Sequence, residues 1–193
     1  MEVRNIDINF SSDENIEEDR KLKGYAILYN SLSEPLYNDS FREIIKKGAF
    51  SRSLKEDEQV CLWGHDSRYV VGRKSTNTLS LIEDDRGLYF EVSPPNTTWA
   101  NDLIESVHRR DISKMSFGFK VIRDNWKTDK ETIDKYNLAI REVEEIKLLE
   151  ISLVAFPAYT DTSVRNVPKV PVSYDFFYFR EHFERKIRIL KLK

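Results

Sequence analysis

The sequence predicts a mixed α+β fold organised around a sheet or barrel of about six strands. Three observations carry that expectation: short runs rich in β-branched and aromatic residues, two stretches with helical spacing between them, and turn residues joining two of the runs. The chain has 193 residues, 40% of them hydrophobic, which is enough for one core of ordinary domain size.

Taken in order, "EVRNIDINF" reads as a possible first strand, interrupted by an acidic lead-in before the pattern resumes at "GYAILYN". The stretch "DSFREIIKKGAFSRSLKED", residues 39–57, reads as a helix broken or bent near Gly48. Next come the strands "QVCLWGHD", "TLSLIED" and "GLYFEVS", the last two joined by "EDDRG", whose turn chemistry predicts an antiparallel hairpin. A second helix is expected in "TTWANDLIESVHRR", where Trp99, Leu103, Ile104 and Val107 line one face after a threonine cap. The strands "KMSFGFKVIRD" and "IKLLEISLVAF" complete the set. Then "VPKVP" breaks regular structure, because its prolines fit neither a helix interior nor a central strand. It marks a boundary between a domain of residues 1–167 and a linker with a tail helix over residues 168–193. In that tail Phe176, Phe179, Phe183, Ile187 and Leu190 fall on one helical face, suited equally to packing on its own domain or on another molecule.

Charge and composition narrow the functional classes. Lys+Arg 31 against Asp+Glu 33 gives a formal net charge of −2, which supplies no general attraction to nucleic acid or to an anionic membrane. A single cysteine, Cys61, excludes an intrachain disulfide, and His65, His108 and His182 lack zinc-ligand spacing, so no metal and no cofactor is implied. No secretory signal and no membrane-length apolar run is visible, which predicts a soluble, intracellular protein.

Three residues invite chemistry. In "KMSFGFKV" the two-residue period of a strand puts Met115, Phe117, Phe119 and Val121 on one face. Ser116, Gly118 and Lys120 take the other, so the hydroxyl is expected to face a cleft or solvent, with room beside it at Gly118. Periodicity explains accessibility and does not by itself make the serine more than a polar residue on a half-buried strand. A serine becomes a nucleophile when a base takes its proton, and histidine is suited to that near neutrality. His65 ends a strand at a junction where Gly64 and Asp66 favour a turn; His108 lies beside "RR" on a helix and His182 in the tail. Finally, Glu150 interrupts an apolar run, on the expected face of Leu148, Ser152 and Val154. A carboxylate there needs a donor or a cation, or else it stays protonated. A histidine would serve, as would Arg141 or Arg73.

The ordered motifs "GYAILYNS", "EIIKKGAFSRSL", "VCLWGHDSRYVVGR", "LSLIEDDRGLYFEV", "DLIESVHRRDISKMSFGFKV" and "EISLVAFPAYTDTSVR" resemble those of the prohead proteases of tailed bacteriophages, over most of residues 24–165. The resemblance implies a fold related to the herpesvirus assemblins, a mostly antiparallel β-barrel of about six to seven strands surrounded by helices. It implies a serine endopeptidase that cleaves scaffold or capsid segments, and itself, inside the assembling prohead in the host bacterial cytoplasm. The implied partners are the major capsid protein or its scaffolding segment and a second copy of the chain, with no nucleic acid and no membrane. By the same resemblance Ser116 corresponds to the nucleophile, His65 to the general base and Glu150 to the third member of a triad. The assemblins use a second histidine as third member, which keeps His108 as a rival. Relatives often carry Asn where this chain has Gly64, a departure at the turn that holds His65. The turn around Pro157, Ala158 and Tyr159 is the expected source of an oxyanion donor, with Gly118 beside the substrate. Two other classes compete: a non-catalytic scaffold or capsid-binding module retaining the fold, and an acyl hydrolase on another fold. Against the second, the chain has no G-x-S-x-G elbow.

Overall fold

The computed structural model of the protein describes residues 2–7, 20–37 and 39–155. The tail helix, the 167/168 boundary, Ala158, Tyr159 and His182 lie outside the described residues. Within them the chain runs β1 (Glu2–Asp7), β2 (Leu22–Leu28), β3 (Phe41–Ile45), α1 (Ser53–Glu56), β4 (Val60–Trp63), β5 (Asp66–Arg73) and β6 (Leu79–Glu83). It continues through β7 (Gly87–Val92), α2 (Thr98–His108), β8 (Lys114–Lys127), α3 (Lys130–Tyr136) and β9 (Ala139–Val154). The class is α+β, as expected. One sheet has six strands ordered β1-β8-β9-β4-β5 with β3 also on β9, and the other has three, ordered β2-β7-β6. Among the described residues the strands form two sheets and neither closes on itself. In the larger sheet one edge of β9 pairs in parallel first with β3 and then with β4, while β8 lies antiparallel on its other edge.

The hairpin expected at "EDDRG" forms between β6 and β7. The Asp84 carboxylate accepts the Arg86 and Gly87 backbone N–H groups at 2.7 and 3.0 Å, the local bonding that makes Asp a turn residue. At Gly87 a side chain is excluded, because a Cβ there would meet the Ile27 carbonyl oxygen at 1.9 Å.

Residues 41–45 form a strand where the sequence predicts a helix. Phe41, Glu43 and Ile45 are buried and alternate with the half-buried Arg42 and Ile44, which is the strand period, and the parallel pairing to residues 139–143 fixes it. Only Ser53–Glu56 of the expected helix is helical, after a turn at Gly48 with φ of +89°. The second expected helix is present as α2. It buries Ala100, Leu103 and Val107, while Ile104 is half-buried and Trp99 packs at the margin of the core. Full burial of a side chain such as Leu103 is worth about 1.5–3 kcal/mol. Thr97 occupies the cap position with extended backbone, but its hydroxyl makes no cap hydrogen bond.

One buried cluster joins both sheets and α2: Ile27, Leu88, Phe90 and Val92 from the smaller sheet meet Phe117, Phe119, Ile146, Leu148 and Ile151 from the larger. At the far end of β9, Arg141 is clamped between Asp124 of β8, at 2.7 Å, and Glu43 of β3, at 3.3 Å. The Glu43 side chain is 1% exposed, so removing the cation takes away the guanidinium that offsets its buried negative charge. Arg141→Met is therefore expected to lower stability by about 3–5 kcal/mol, read as a fall in the denaturant midpoint. A midpoint within error of the parent would show that the clamp is dispensable.

Candidate active site

The site is assembled by three adjacent strands, with β9 in the middle. On one side β8 runs antiparallel, with Ser116 directly opposite Ser152 and Gly118 directly opposite Glu150. Directly opposed side chains on one face of such a pair stand about 4.5–5.5 Å apart at Cβ. On the other side β4 runs parallel, with Val60 beside Glu150 and Leu62 beside Ser152. The turn after β4 then carries His65 back to β9.

That turn has two residues, Gly64 and His65, between the paired Trp63 and Asp66. Their φ values, +63° and +62°, are the left-handed pair that a tight two-residue hairpin requires. Glycine meets this without strain, and histidine is among the residues enriched there. Asparagine also tolerates positive φ, and a Cβ at position 64 would meet nothing within 4 Å. Position 64 of this turn therefore accepts either glycine or asparagine. Hydrogen bonds to β9 hold its tip: the Gly64 N–H donates to the Leu153 carbonyl at 2.9 Å and the His65 N–H to Ser152 Oγ at 3.2 Å.

The His65 Nδ1 lies 2.8 Å from Glu150 Oε1. With the glutamate ionised, Nδ1 carries the shared proton and Nε2 is left with its lone pair, the tautomer a general base needs. The other carboxylate oxygen, Oε2, accepts from the Ser152 hydroxyl at 2.5 Å. The buried acid thus has its donors, and neither arginine considered from sequence supplies them: Arg141 serves Asp124 and Glu43, and Arg73 faces Glu58 at 3.7 Å. The neighbouring acid, Asp66, is engaged elsewhere. The Arg68 guanidinium and backbone N–H hold its carboxyl below the usual carboxylate range.

Ser116 is fully buried, whereas its strand period predicts a cleft-facing or solvent-facing hydroxyl. Alternation identifies the face a side chain takes and not what covers that face. Leu148 also departs from strict alternation. A bulge between Gly118 and Phe119 inserts Leu149, so Leu148 opposes Phe119 and joins the core with Ile151, while Glu150 opposes Gly118. His108 closes α2, and among the described residues no hydrogen bond or ion pair joins it to His65 or Glu150. Ser152 is the residue whose part the sequence does not announce, although its shared face with Glu150 is a usable signal.

Cys61 lies on β4 opposite Ile151 and is fully buried. Burial pushes its thiol up, and the Glu150 charge adds to the effect, so almost no thiolate exists near neutral pH. Iodoacetamide at neutral pH is expected to leave the folded chain unmodified and to label the denatured chain at one site per molecule. Stoichiometric labelling of the folded chain would contradict that burial. Among the described residues, no cluster of His, Cys, Asp and Glu suited to a metal ion and no helix long and apolar enough to cross a membrane occurs.

No curated protein and no solved structure matches the chain. A family model described as caudovirus prohead serine protease does, over residues 6–172, a span that holds β8, β9 and the His65 hairpin. With most of its length matched, the chain belongs to the caudovirus prohead serine protease family.

Proposed function

We propose that the chain is a serine endopeptidase that cuts scaffold or capsid segments during prohead maturation, with Ser116 as nucleophile, His65 as general base and Glu150 as the acid behind it. The observation that carries this reading is the 2.8 Å His65–Glu150 contact on the strand beside Ser116. Ser116 Oγ attacks the scissile carbonyl while its proton passes to His65 Nε2. The imidazolium then gives that proton to the leaving amine, and an acyl-enzyme remains. Water attacks the ester with the same imidazole as base, releasing the second product. Glu150 holds the ring in its tautomer and stabilises the cation formed at each step. Backbone N–H groups near Ala158 and Tyr159 are the proposed oxyanion donors, and Gly118 leaves space for the substrate backbone. Because Ser116 is fully buried, acylation requires the substrate to displace what covers it.

In this reading residues 1–167 are the catalytic domain, and residues 168–193 tether the protease or are removed by self-cleavage. The partners are the capsid or scaffold substrate and a second copy of the chain, within the prohead in the host cytoplasm, without nucleic acid or membrane. Incubating the purified chain with the major capsid protein of its own phage tests the activity. A new N-terminus in the capsid protein, found by mass spectrometry and absent with His65→Ala, is the expected result. Equal cleavage by His65→Ala would remove the histidine from the mechanism. The burial of Ser116 favours one alternative, a capsid-binding module that keeps the fold without catalysis. Capsid protein that binds the chain and stays intact would favour that reading.

A further inference from the structure

We infer that Ser152 is a positioning residue that clamps the acid and the base of this site together; the inference rests on the Ser116–His65–Glu150 reading. A serine hydroxyl has one proton and two lone pairs. Its proton goes to Glu150 Oε2 at 2.5 Å, and a lone pair accepts the His65 backbone N–H at 3.2 Å. Both assignments follow from what each partner can do, since a carboxylate only accepts and an amide N–H only donates. The same side chain therefore fixes the rotation of the carboxylate and the position of the hairpin tip whose imidazole that carboxylate orients.

Ser152 is fully buried and Glu150 is 4% exposed, so water competes poorly for either bond. The geometry is set by the backbone. The 150/152 spacing keeps both side chains on one face of β9, and the parallel register brings Leu62, three residues before His65, alongside Ser152. Without the hydroxyl, Glu150 Oε2 loses its donor, and the His65 N–H, in a left-handed residue, loses its acceptor. The carboxylate can then rotate and the ring is held from one end only. Ser152 and Glu150 are both buried and neither is assigned a substrate contact in this reading, so the loss is expected on turnover and not on binding.

Ser152→Ala is expected to lower kcat by about 10- to 100-fold, the range typical of removing a partner that orients a reacting group, with KM little changed. Ser152→Thr, which keeps the hydroxyl, is expected to recover most of it. A readout independent of turnover is the low-field proton resonance of His65 Nδ1–H, recorded in a Ser116→Ala background. It should be sharp while Ser152 is kept, shifted and broadened by exchange when Ser152→Ala is added, and restored when Ser152→Thr is added instead. Should Ser152→Ala fail to fold, Ser152→Cys keeps the volume with a much weaker donor and carries the same comparison. Wild-type kcat together with an unaltered resonance in Ser152→Ala would overturn the clamp. Failure of the protease reading looks different: the parent chain would not cut the capsid protein, while the resonance series would still decide whether Ser152 holds the His65–Glu150 pair.

Discussion

Ser116→Ala is expected to lower kcat for capsid-protein cleavage by about 10⁶-fold, the scale of losing the nucleophile from a serine-protease triad. The reason is chemical. Alanine has no atom to form the acyl-enzyme, and the His65–Glu150 pair is left with no hydroxyl to activate. The change removes one oxygen from a buried strand position and adds no volume, so folding should persist. Circular dichroism and the denaturant midpoint would separate lost chemistry from lost structure. Cleavage near the parent rate would exclude Ser116 as nucleophile.

Glu150→Gln is expected to lower kcat by about 10⁴-fold, as for the equivalent acid-to-amide change in a serine-protease triad. The amide occupies nearly the same volume but has one acceptor and one donor end. With its oxygen accepting from Ser152, its NH₂ faces His65 Nδ1 and takes that nitrogen's lone pair. The proton then moves to Nε2, and the ring can no longer accept one from Ser116. His108→Ala is expected to leave kcat near the parent value, since His108 makes no hydrogen bond or ion pair with His65 among the described residues. The reverse ranking of the two variants, measured as kcat on capsid protein, would make His108 the third member.

Local pattern makes much of this fold readable. The strands around Leu81 and Phe90, the Asp84 turn and the α2 face each depend on neighbours close in sequence. Residues 41–45 mislead because "FREIIKKGAF" fits a helical spacing as well as a strand, and the choice is made by pairing with residues nearly a hundred positions away. The same distance hides the first half of β9, whose "REVEE" looks too charged for a strand until Arg141 is seen between Glu43 and Asp124. The parallel pairing of both β3 and β4 to β9 has no signature in either strand.

The site divides similarly. Glu150 is visible because a carboxylate in an apolar run needs a partner, and His65 because Gly64 and Asp66 mark a turn. Which partner Glu150 takes depends on the register between β4 and β9 and on the two left-handed residues that turn His65 back over β9. The burial of Ser116 depends on what packs over its face, which no period in "KMSFGFKV" encodes.

The most direct test of the central claim is covalent labelling of the folded chain with a fluorophosphonate, followed by peptide mass spectrometry. The account predicts a single adduct on Ser116, abolished in His65→Ala and strongly slowed in Glu150→Gln. An adduct on another residue, or cleavage of the capsid protein by Ser116→Ala at the parent rate, would contradict it.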